Sequence, residues 1–165
     1  MRSRPSRCQL PLLEAVDQVN ERQKRILIQK VRRHFGADLS SRTFAIWGLS
    51  FKPNTDDIRE APAINVIEDL LGHGASIKAF DPAAMTQAER VFNGSISYCQ
   101  RSYEALEGAD ALLVCAEWNE FRTPEFQRIK MLLRNPVIFD GRNIFDAAEM
   151  KQMGFVYYSI GRNHV

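Results

Sequence analysis

Residues 109–116 read ADALLVCA, and every position from Ala111 to Cys115 is apolar. A short apolar run without polar alternation is typical of a strand that is buried on both faces of a parallel sheet. Parallel strands cannot be joined by tight hairpins, and helices ordinarily supply the crossover connections. This stretch therefore predicts a parallel sheet with helices packed on both of its faces.

The segments around this run repeat a rhythm of short apolar strands and helical patterns. We predict strands at residues 43–47, 76–80, 96–99, 109–116, 136–139 and 155–160. Helices are predicted between them at residues 63–71, 84–91, 102–107, 123–133 and 145–153. Strands that alternate with helices form right-handed βαβ units. The sequence thus predicts an α/β fold with a doubly wound, mostly parallel sheet.

A basic tail and a long helical pattern precede the sheet. Residues 1–10 hold three arginines among Ser and Pro, and from Leu12 to Ile26 apolar residues recur at helical spacing. We predict a helix over residues 11–36 that ends at Gly36, followed by a single domain over residues 37–165. Two interpretations of the helix stay open. It lies across its own sheet, or part of it makes contacts beyond its own domain.

Composition excludes several classes of protein. The 165 residues include 22 Lys and Arg against 20 Asp and Glu, which gives a formal net charge of +2, and 45% are hydrophobic. These fractions are ordinary for a globular chain and exclude a disordered or fibrous one. The balanced charge gives no electrostatic case for a nucleic-acid partner. No apolar run reaches the roughly 18 residues of a membrane span, so we expect no membrane partner either.

The cysteines and histidines show no ligand spacing. Cys8, Cys99 and Cys115 form no CxxC motif, which indicates neither a zinc site nor a disulfide framework and favours a reducing cytoplasm. The three histidines lie far apart in the sequence, so we expect no metal site. Because Cys115 lies inside the apolar run, we expect it to be buried and unreactive.

Cations follow two of the predicted strands. Lys52 and Arg59 come after the first strand, and Arg142 comes after the fifth. If those strands are neighbours, the three cations converge on one crevice at the carboxyl edge of the sheet, where α/β proteins bind ligands. Converging cations favour a phosphate or pyrophosphate. Phe51 is placed to pack against a base or a sugar.

A plainer interpretation of the same loop stays open. Lys52 and Arg59 can pair with the acidic residues around them on a solvated loop, where ion pairs contribute only about 0–1 kcal/mol. The loop also lacks the G-x-G-x-x-G and Walker A patterns. Without those glycines, we interpret Asp81 as a turn residue rather than a ribose ligand. Trp118 is either a lid on the crevice or an ordinary packing residue.

Four segments together carry a resemblance to a known family. They read GLSFKPNTDDIREAP at residues 48–62, AEWNEF at 116–121, FDGRN at 139–143, and PLLEAV with VNERQK within residues 11–24. They resemble the nucleotide-sugar dehydrogenases, and the UDP-glucose 6-dehydrogenases in particular. The resemblance runs over nearly the whole chain, and the long FKPNTDDIREAP motif makes it specific.

This resemblance implies a Rossmann-like, UDP-binding C-terminal domain preceded by the end of the family's central dimerisation helix. The family oxidises UDP-glucose to UDP-glucuronate with NAD. By its motifs, Phe51, Lys52 and Arg142 contact the UDP-sugar, and Arg59 reaches toward NAD that is held mainly by another domain. The resemblance also implies a homodimer formed through the N-terminal helix.

The chain departs from the family where catalysis is concerned. It has no NAD fingerprint, and Cys8 lacks the Gly-rich context of the family's catalytic cysteine. We therefore expect no catalytic residue in this chain and no turnover by it alone, as for a fragment or a truncated product. Two alternatives stay open: a domain of a related dehydrogenase for GDP-mannose or UDP-N-acetylmannosamine, or a non-catalytic dimerisation module.

Overall fold

The computed structural model describes residues 26–161, and six parallel strands form the centre of this region. The strands are β1 (Thr43–Trp47), β2 (Ser76–Phe80), β3 (Ser97–Tyr98), β4 (Ala111–Val114), β5 (Val137–Asp140) and β6 (Val156–Ser159). Their order across the sheet is β3-β2-β1-β4-β5-β6, and each neighbouring pair is parallel. The predicted strands are therefore confirmed, two of them at both ends, and so is the parallel sheet.

Seven helices lie in the described region. They are α1 (26–35), α2 (Pro62–Gly72), α3 (Met85–Phe92), α4 (Ser102–Leu106), α5 (Asn119–Arg122), α6 (Phe126–Leu132) and α7 (Ala147–Gln152). The short helix α5 was not predicted, and the helix predicted at 123–133 begins later than expected. The reason is Pro124, because a proline ring disfavours the helical conformation in the residue before it. Thr123 accordingly has φ −129° and ψ 62° and separates α5 from α6.

Helices cover both faces of the sheet, and each face has its own core. One core packs α1, α2 and α3 against the sheet through side chains that include Val31, Ile67 and Phe92. The other packs α4, α5, α6 and α7 against the opposite face through side chains that include Leu106, Phe121, Ile129 and Met150. All four residues of β4 are buried, as its apolar run predicted. The doubly wound α/β prediction is confirmed.

Helix α1 lies on its own sheet over its described length. Leu27, Ile28 and Val31 are buried in the first core. The helix ends as predicted at Gly36, which has φ +93° and donates its N–H to Arg32 O at 2.9 Å. The tail and the predicted helix over residues 11–25 fall outside the described residues, so the wider role considered for that helix stays a prediction.

The strand order places a crevice between β1 and β4. From β1 the chain winds outward to β2 and β3, and it returns to β4 on the other side of β1 before it continues to β5 and β6. Loops that leave two adjacent parallel strands in opposite directions open a gap at their carboxyl ends. The segments after β1 and β4, which carry FKPNTDDIREAP and AEWNEF, therefore flank this gap.

Candidate functional site

The loop after β1 closes on itself before it enters α2. Phe51 donates its N–H to Asp57 O at 2.8 Å, and Asn54 and Glu60 adopt left-handed backbone with φ 62° and 59°. Left-handed backbone is uncommon outside glycine and shows a chain path that its surroundings determine. The fold leaves Phe51 47% exposed and Lys52 exposed at the start of this loop. Both predicted ligand residues are thus accessible.

Asp81, directly after β2, holds the start of this loop through hydrogen bonds. Its carboxylate is fully buried and accepts the N–H of Leu49 at 2.7 Å and of Ser50 at 3.0 Å, and the Ser50 hydroxyl at 3.0 Å. Its other oxygen accepts the N–H groups of Ala83 and Ala84. Buried carboxylates need such donors because an unpaired buried charge is very costly. Asp81 is a turn residue, as predicted, but it also fixes the loop after β1.

Trp118 crosses the crevice and joins the same network. Its indole N–H lies 3.0 Å from Ser50 Oγ and 3.1 Å from Asp81 Oδ2, so a single donor is shared between the two oxygens. The side chain therefore connects the segment after β4 to the segments after β1 and β2. Trp118 also packs against the second core, as the packing interpretation expected, and its role as a lid on the crevice stays a prediction.

Arg59 is paired with its own loop. Its Nε and Nη2 donate to the two oxygens of Asp57 at 2.9 and 2.8 Å, and its backbone N–H donates to Asp57 Oδ1 at 2.9 Å. The hydrogen bonds from Arg59 lower the pKa of Asp57 from 3.8 to about 2. Since the Arg59 side chain is 87% exposed, this is the solvated ion pair that the plainer interpretation described.

Arg142 is held by a carboxylate that the sequence analysis did not single out. Arg142 Nη2 lies 2.8 Å from Glu117 Oε1, and Arg122 Nη2 lies 2.6 Å from Glu117 Oε2. The hydrogen bond from Arg142 is the main cause that lowers the pKa of Glu117 below its ordinary value, and burial acts in the opposite direction. One carboxylate thus joins the segment after β4, helix α5 and the loop after β5.

Asp140, which is fully buried like Asp81, shapes the loop that carries Arg142. Asp140 accepts the backbone N–H of Arg142 at 2.9 Å, those of Ile144 and Phe145, and the Tyr157 hydroxyl at 2.8 Å. Asn143 has φ 54° and bonds Ile160 through both atoms of its amide. The backbone at Arg142 is therefore fixed on both sides, which limits where its guanidinium can go.

We expected the three cations to converge if β1 and β5 were neighbouring strands, but the two strands are not neighbours. Strand β4 lies between β1 and β5, so the loops of Lys52 and Arg142 begin two strand spacings apart, or roughly 10 Å. Both loops still lie at the carboxyl edge of the sheet. The side chain of Lys52 makes no hydrogen bond or ion pair to another residue within 26–161, and Arg59 and Arg142 are paired with carboxylates.

Two grooves border the Arg59 segment. The first, of about 440 Å³, is lined by residues 55–59 and Gln87. The second, of about 410 Å³, lies between residues 58–61, the start of α2, and Val91 of α3, whose side chain is 50% exposed. Gln87 donates to Asp56 Oδ2 at 3.2 Å and so connects α3 to the loop. The loop after β1 therefore has an accessible flank on either side of Arg59.

The remaining candidate groups are structural. Burial raises the pKa of the Cys115 thiol to about 12, which makes it inert as expected, and burial also raises the pKa of Cys99. Cys8 lies outside the described residues. Within residues 26–161, no cluster of three or more His, Cys, Asp or Glu is placed to hold a metal ion. No helix of this region is long and apolar enough to cross a membrane.

Sequence reasoning missed Glu117, and it predicted the turn at Asp81 without its contacts to the loop after β1. Asp81 follows β2 directly and Glu117 comes three residues after β4, and these positions near strand ends are the signal that could have drawn attention to them. Besides near neighbours, their partners include Leu49, Trp118 and Arg142, which lie 25 to 37 positions away in the chain. Such distant partners cannot be identified from the sequence without knowing which strands are neighbours.

Comparison with known proteins gives a consistent result. The UDP binding domain of the UDP-glucose/GDP-mannose dehydrogenase family matches residues 45–147. UDP-glucose 6-dehydrogenase from Pseudomonas aeruginosa is 42% identical over 92% of this chain and 34% of its own length. UDP-glucose 6-dehydrogenase TuaD from Bacillus subtilis is 41% identical over 92% of this chain and 32% of its own.

A solved structure agrees with these relatives. The UDP-glucose dehydrogenase from Pyrobaculum islandicum superimposes with a TM-score of 0.72 and 31% identity, over 82% of this chain and 30% of that one. The chain thus spans about a third of the length of the curated relatives it matches.

Proposed function

This chain belongs to the UDP-glucose/GDP-mannose dehydrogenase family, and from that premise we propose that it binds the UDP part of a UDP-sugar at the carboxyl edge of its sheet. The observation that carries the proposal is the crevice between β1 and β4. The loop after β1 presents Phe51 and Lys52 there, and the loop after β5, the strand on the far side of β4, presents Arg142 at the same edge of the sheet; all three lie within the stretch that matches the family's UDP binding domain. UDP-glucose is the substrate we propose, because the curated relatives are named for it.

Each of the three residues meets a different part of such a ligand. The Lys52 ammonium is a compact, exposed charge that makes no hydrogen bond or salt bridge within residues 26–161 and acts on Asp57 only weakly and through space, which suits a phosphate oxygen. Arg142 offers a planar guanidinium at the other side of the crevice, with Trp118 between the two loops. Phe51 is exposed and offers an aromatic face for a base or a sugar. A diphosphate would neutralise both cations and so bring the two loops together.

The activity we propose for the protein that contains this domain is NAD-dependent oxidation of UDP-glucose to UDP-glucuronate. When bound, NAD accepts the hydride from the sugar alcohol. NAD does not fit the crevice of this domain in the usual way, because the loop after β1 lacks the glycine fingerprint. Asp81, at the usual ribose position, is surrounded by donors of its own chain. We assign to this domain only Arg59 as a contact toward NAD, once Asp57 releases it.

We extend the proposal to the organisation of the protein. The division into a tail over 1–10, a helix over 11–36 and a UDP-binding domain over 37–165 follows the family's arrangement. The helix is the proposed homodimer contact, and a reducing cytoplasm is the proposed compartment, because the three cysteines form no disulfide framework. The catalytic thiol and the NAD fingerprint have no counterpart in these 165 residues. We therefore expect no turnover by this chain alone.

Calorimetric titration of the 165-residue chain tests the proposed function. UDP should bind, UMP should bind more weakly because it lacks the second phosphate, and UDP-glucose should compete with UDP. GDP and GDP-mannose test the preference for the base. If GDP binds more tightly than UDP, the proposed ligand becomes a GDP-sugar. No binding of either diphosphate would overturn the proposal. Steady NADH production from UDP-glucose and NAD would contradict the expected inactivity.

A further inference from the structure

Glu117 stands in an unusual position for an acidic residue beside a proposed phosphate site. It follows β4 by three residues and faces the guanidinium of Arg142 from across the sheet edge. A carboxylate there repels a diphosphate unless its charge is more than neutralised. Arg142 and Arg122 share the one carboxylate, so these three side chains together carry one net positive charge, while the carboxylate of the buried Asp140 accepts from backbone N–H groups and the Tyr157 hydroxyl.

We propose that Glu117 is a positioning residue that holds Arg142 ready for the diphosphate of the ligand, with Arg122 as a brace on the second oxygen of the carboxylate. The inference rests on the proposed UDP site and adds a residue to it. Glu117 does not touch the ligand, and its effect on binding passes through Arg142.

The contact leaves Arg142 able to bind. A guanidinium carries five N–H donors. Glu117 takes one of them on Nη2, and among the described residues the side chain of Arg142 makes no other hydrogen bond. Its Nε and Nη1 therefore remain available to a phosphate. The side chain is 31% exposed, so a ligand at the sheet edge can reach it.

Arg59 shows the opposite arrangement in the same molecule. Its Nε and Nη2 both bind Asp57, so one of the two edges of the guanidinium that can form a bidentate contact is fully occupied. A phosphate on that edge must first displace Asp57. The comparison separates two effects of a carboxylate on an arginine: Asp57 occupies two donors and one whole edge of Arg59, whereas Glu117 takes a single donor of Arg142.

Preorganisation explains why such a residue favours binding. A free arginine side chain loses rotamer freedom when a ligand orders it, and this loss opposes association. In the folded chain the backbone of Arg142 is fixed by Asp140 and the guanidinium by Glu117. The ordering has then taken place before the ligand arrives. Arg122 in turn keeps Glu117 from rotating toward solvent.

A double-mutant cycle on the 165-residue chain tests this inference, with UDP as the titrant. Glu117→Gln should weaken UDP binding about tenfold, the usual size of coupling between directly bonded side chains. In the Arg142→Ala background the same change should cause no loss of affinity, because the residue through which Glu117 favours binding is gone; any change there should be a gain, since the carboxylate then has only Arg122 to offset its repulsion of the diphosphate. Glu125→Gln is the matched control, since Glu125 pairs with Arg128 on the surface of α6 and should leave UDP affinity unchanged.

NMR of the arginine side chains distinguishes a positioning role of Glu117 from a purely structural one, which would leave the mobility of Arg142 unchanged. The Nε–H group of Arg142 should be ordered in the wild-type chain and mobile in Glu117→Gln, with equal thermal unfolding temperatures in the two proteins. An ordered Arg142 in that variant overturns the inference. Equal or tighter UDP binding by Glu117→Gln, or the same loss in both backgrounds, overturns it as well.

The outcomes separate this inference from the proposed function. A loss of affinity in Arg142→Ala without a loss in Glu117→Gln overturns the positioning role and leaves the UDP site intact. Wild-type affinity in Arg142→Ala overturns the assignment of Arg142 to the ligand, and the role of Glu117 is then overturned with it.

Discussion

Gly48 and Ala116 meet where β1 and β4 end, and their contact leaves no room for a side chain on Gly48. A Cβ atom built on Gly48 would lie 2.6 Å from the backbone nitrogen of Ala116 and would overlap its Cβ. The backbone of Gly48 also has φ +93°, a conformation that side chains disfavour. This contact brings the loop after β1 against the segment after β4, so it sets the width of the crevice at its base.

Gly48→Ala is expected to destabilise the chain by roughly 2–5 kcal/mol, because overpacking adds to the cost of left-handed backbone. Gly36→Ala is the matched control. Gly36 has the same φ of +93°, and a Cβ there meets nothing within 4 Å. The control should lose only about 1–2 kcal/mol, the backbone cost alone. Urea unfolding of both variants gives the difference, and equal losses would show that the contact with Ala116 costs nothing.

Asp81→Asn is expected to cost roughly 2–4 kcal/mol, because an amide N–H₂ would face backbone donors that the carboxylate now accepts. The expected local effect is a loss of order in the loop after β1, which should appear as faster amide hydrogen exchange at Leu49 and Ser50. Asp146→Asn is a suitable control. Asp146 accepts one N–H at the start of α7, and Asn caps helices as well as Asp does. An equal loss in the two variants would contradict the role given to Asp81.

The sheet could be predicted from the sequence because its signals are local. The apolar run of β4, the alternation in β2 and Pro62 at the start of α2 each act within a few residues. The predicted ends of β1 and β2 are those observed. Helix α5 could not be predicted, because Pro124 divides a pattern that otherwise looks continuous.

The site was predictable only in part, since its contacts join distant segments. Positions just past predicted strands drew attention to Phe51, Lys52 and Arg142, and the family motifs agreed. The partners of these residues depend on strand order. That Glu117 faces Arg142 follows from β4 lying beside β5, and Trp118 reaches Asp81 past the end of β1, which lies between β4 and β2.

The titration of Asp57 should reveal the ion pair with Arg59. Pairing lowers the pKa of Asp57 to about 2, so its stabilising contribution is complete above its unfolded value of about 3.8 and is lost as the pH falls toward 2. Arg59→Ala should raise the pKa only part of the way to its ordinary value, because the backbone N–H of residue 59 still donates to Asp57, as followed by carboxyl NMR. Lys52→Ala should move it far less, because Lys52 is the smallest of the causes. A larger effect of Lys52→Ala would mean that Arg59 points elsewhere in solution.

The thiols should differ in reactivity in a way that reports on the fold. Cys115 is buried with a pKa raised to about 12, so it should stay unmodified by a thiol reagent until the chain unfolds. Cys99 is partly exposed and has a smaller rise in pKa, so it should react before Cys115 in the native chain. Mass spectrometry of digested, labelled protein identifies each site. Native labelling of Cys115 at the rate of Cys99 would contradict the buried position of β4.

Lys52→Ala and Arg142→Ala should each weaken UDP binding by roughly 1–3 kcal/mol, the range for leaving a charged partner unpaired. Both losses should shrink as salt is added, because counterions screen an exposed diphosphate site. Arg134→Ala is the matched control. Arg134 is an exposed arginine that pairs with Asp110 at 3.6 Å, and Asp110 precedes β4 at the opposite edge of the sheet. Its removal changes the net charge equally but should leave UDP affinity unchanged. Equal, small losses in all three variants would mean that UDP responds only to overall charge and that neither loop forms a specific site.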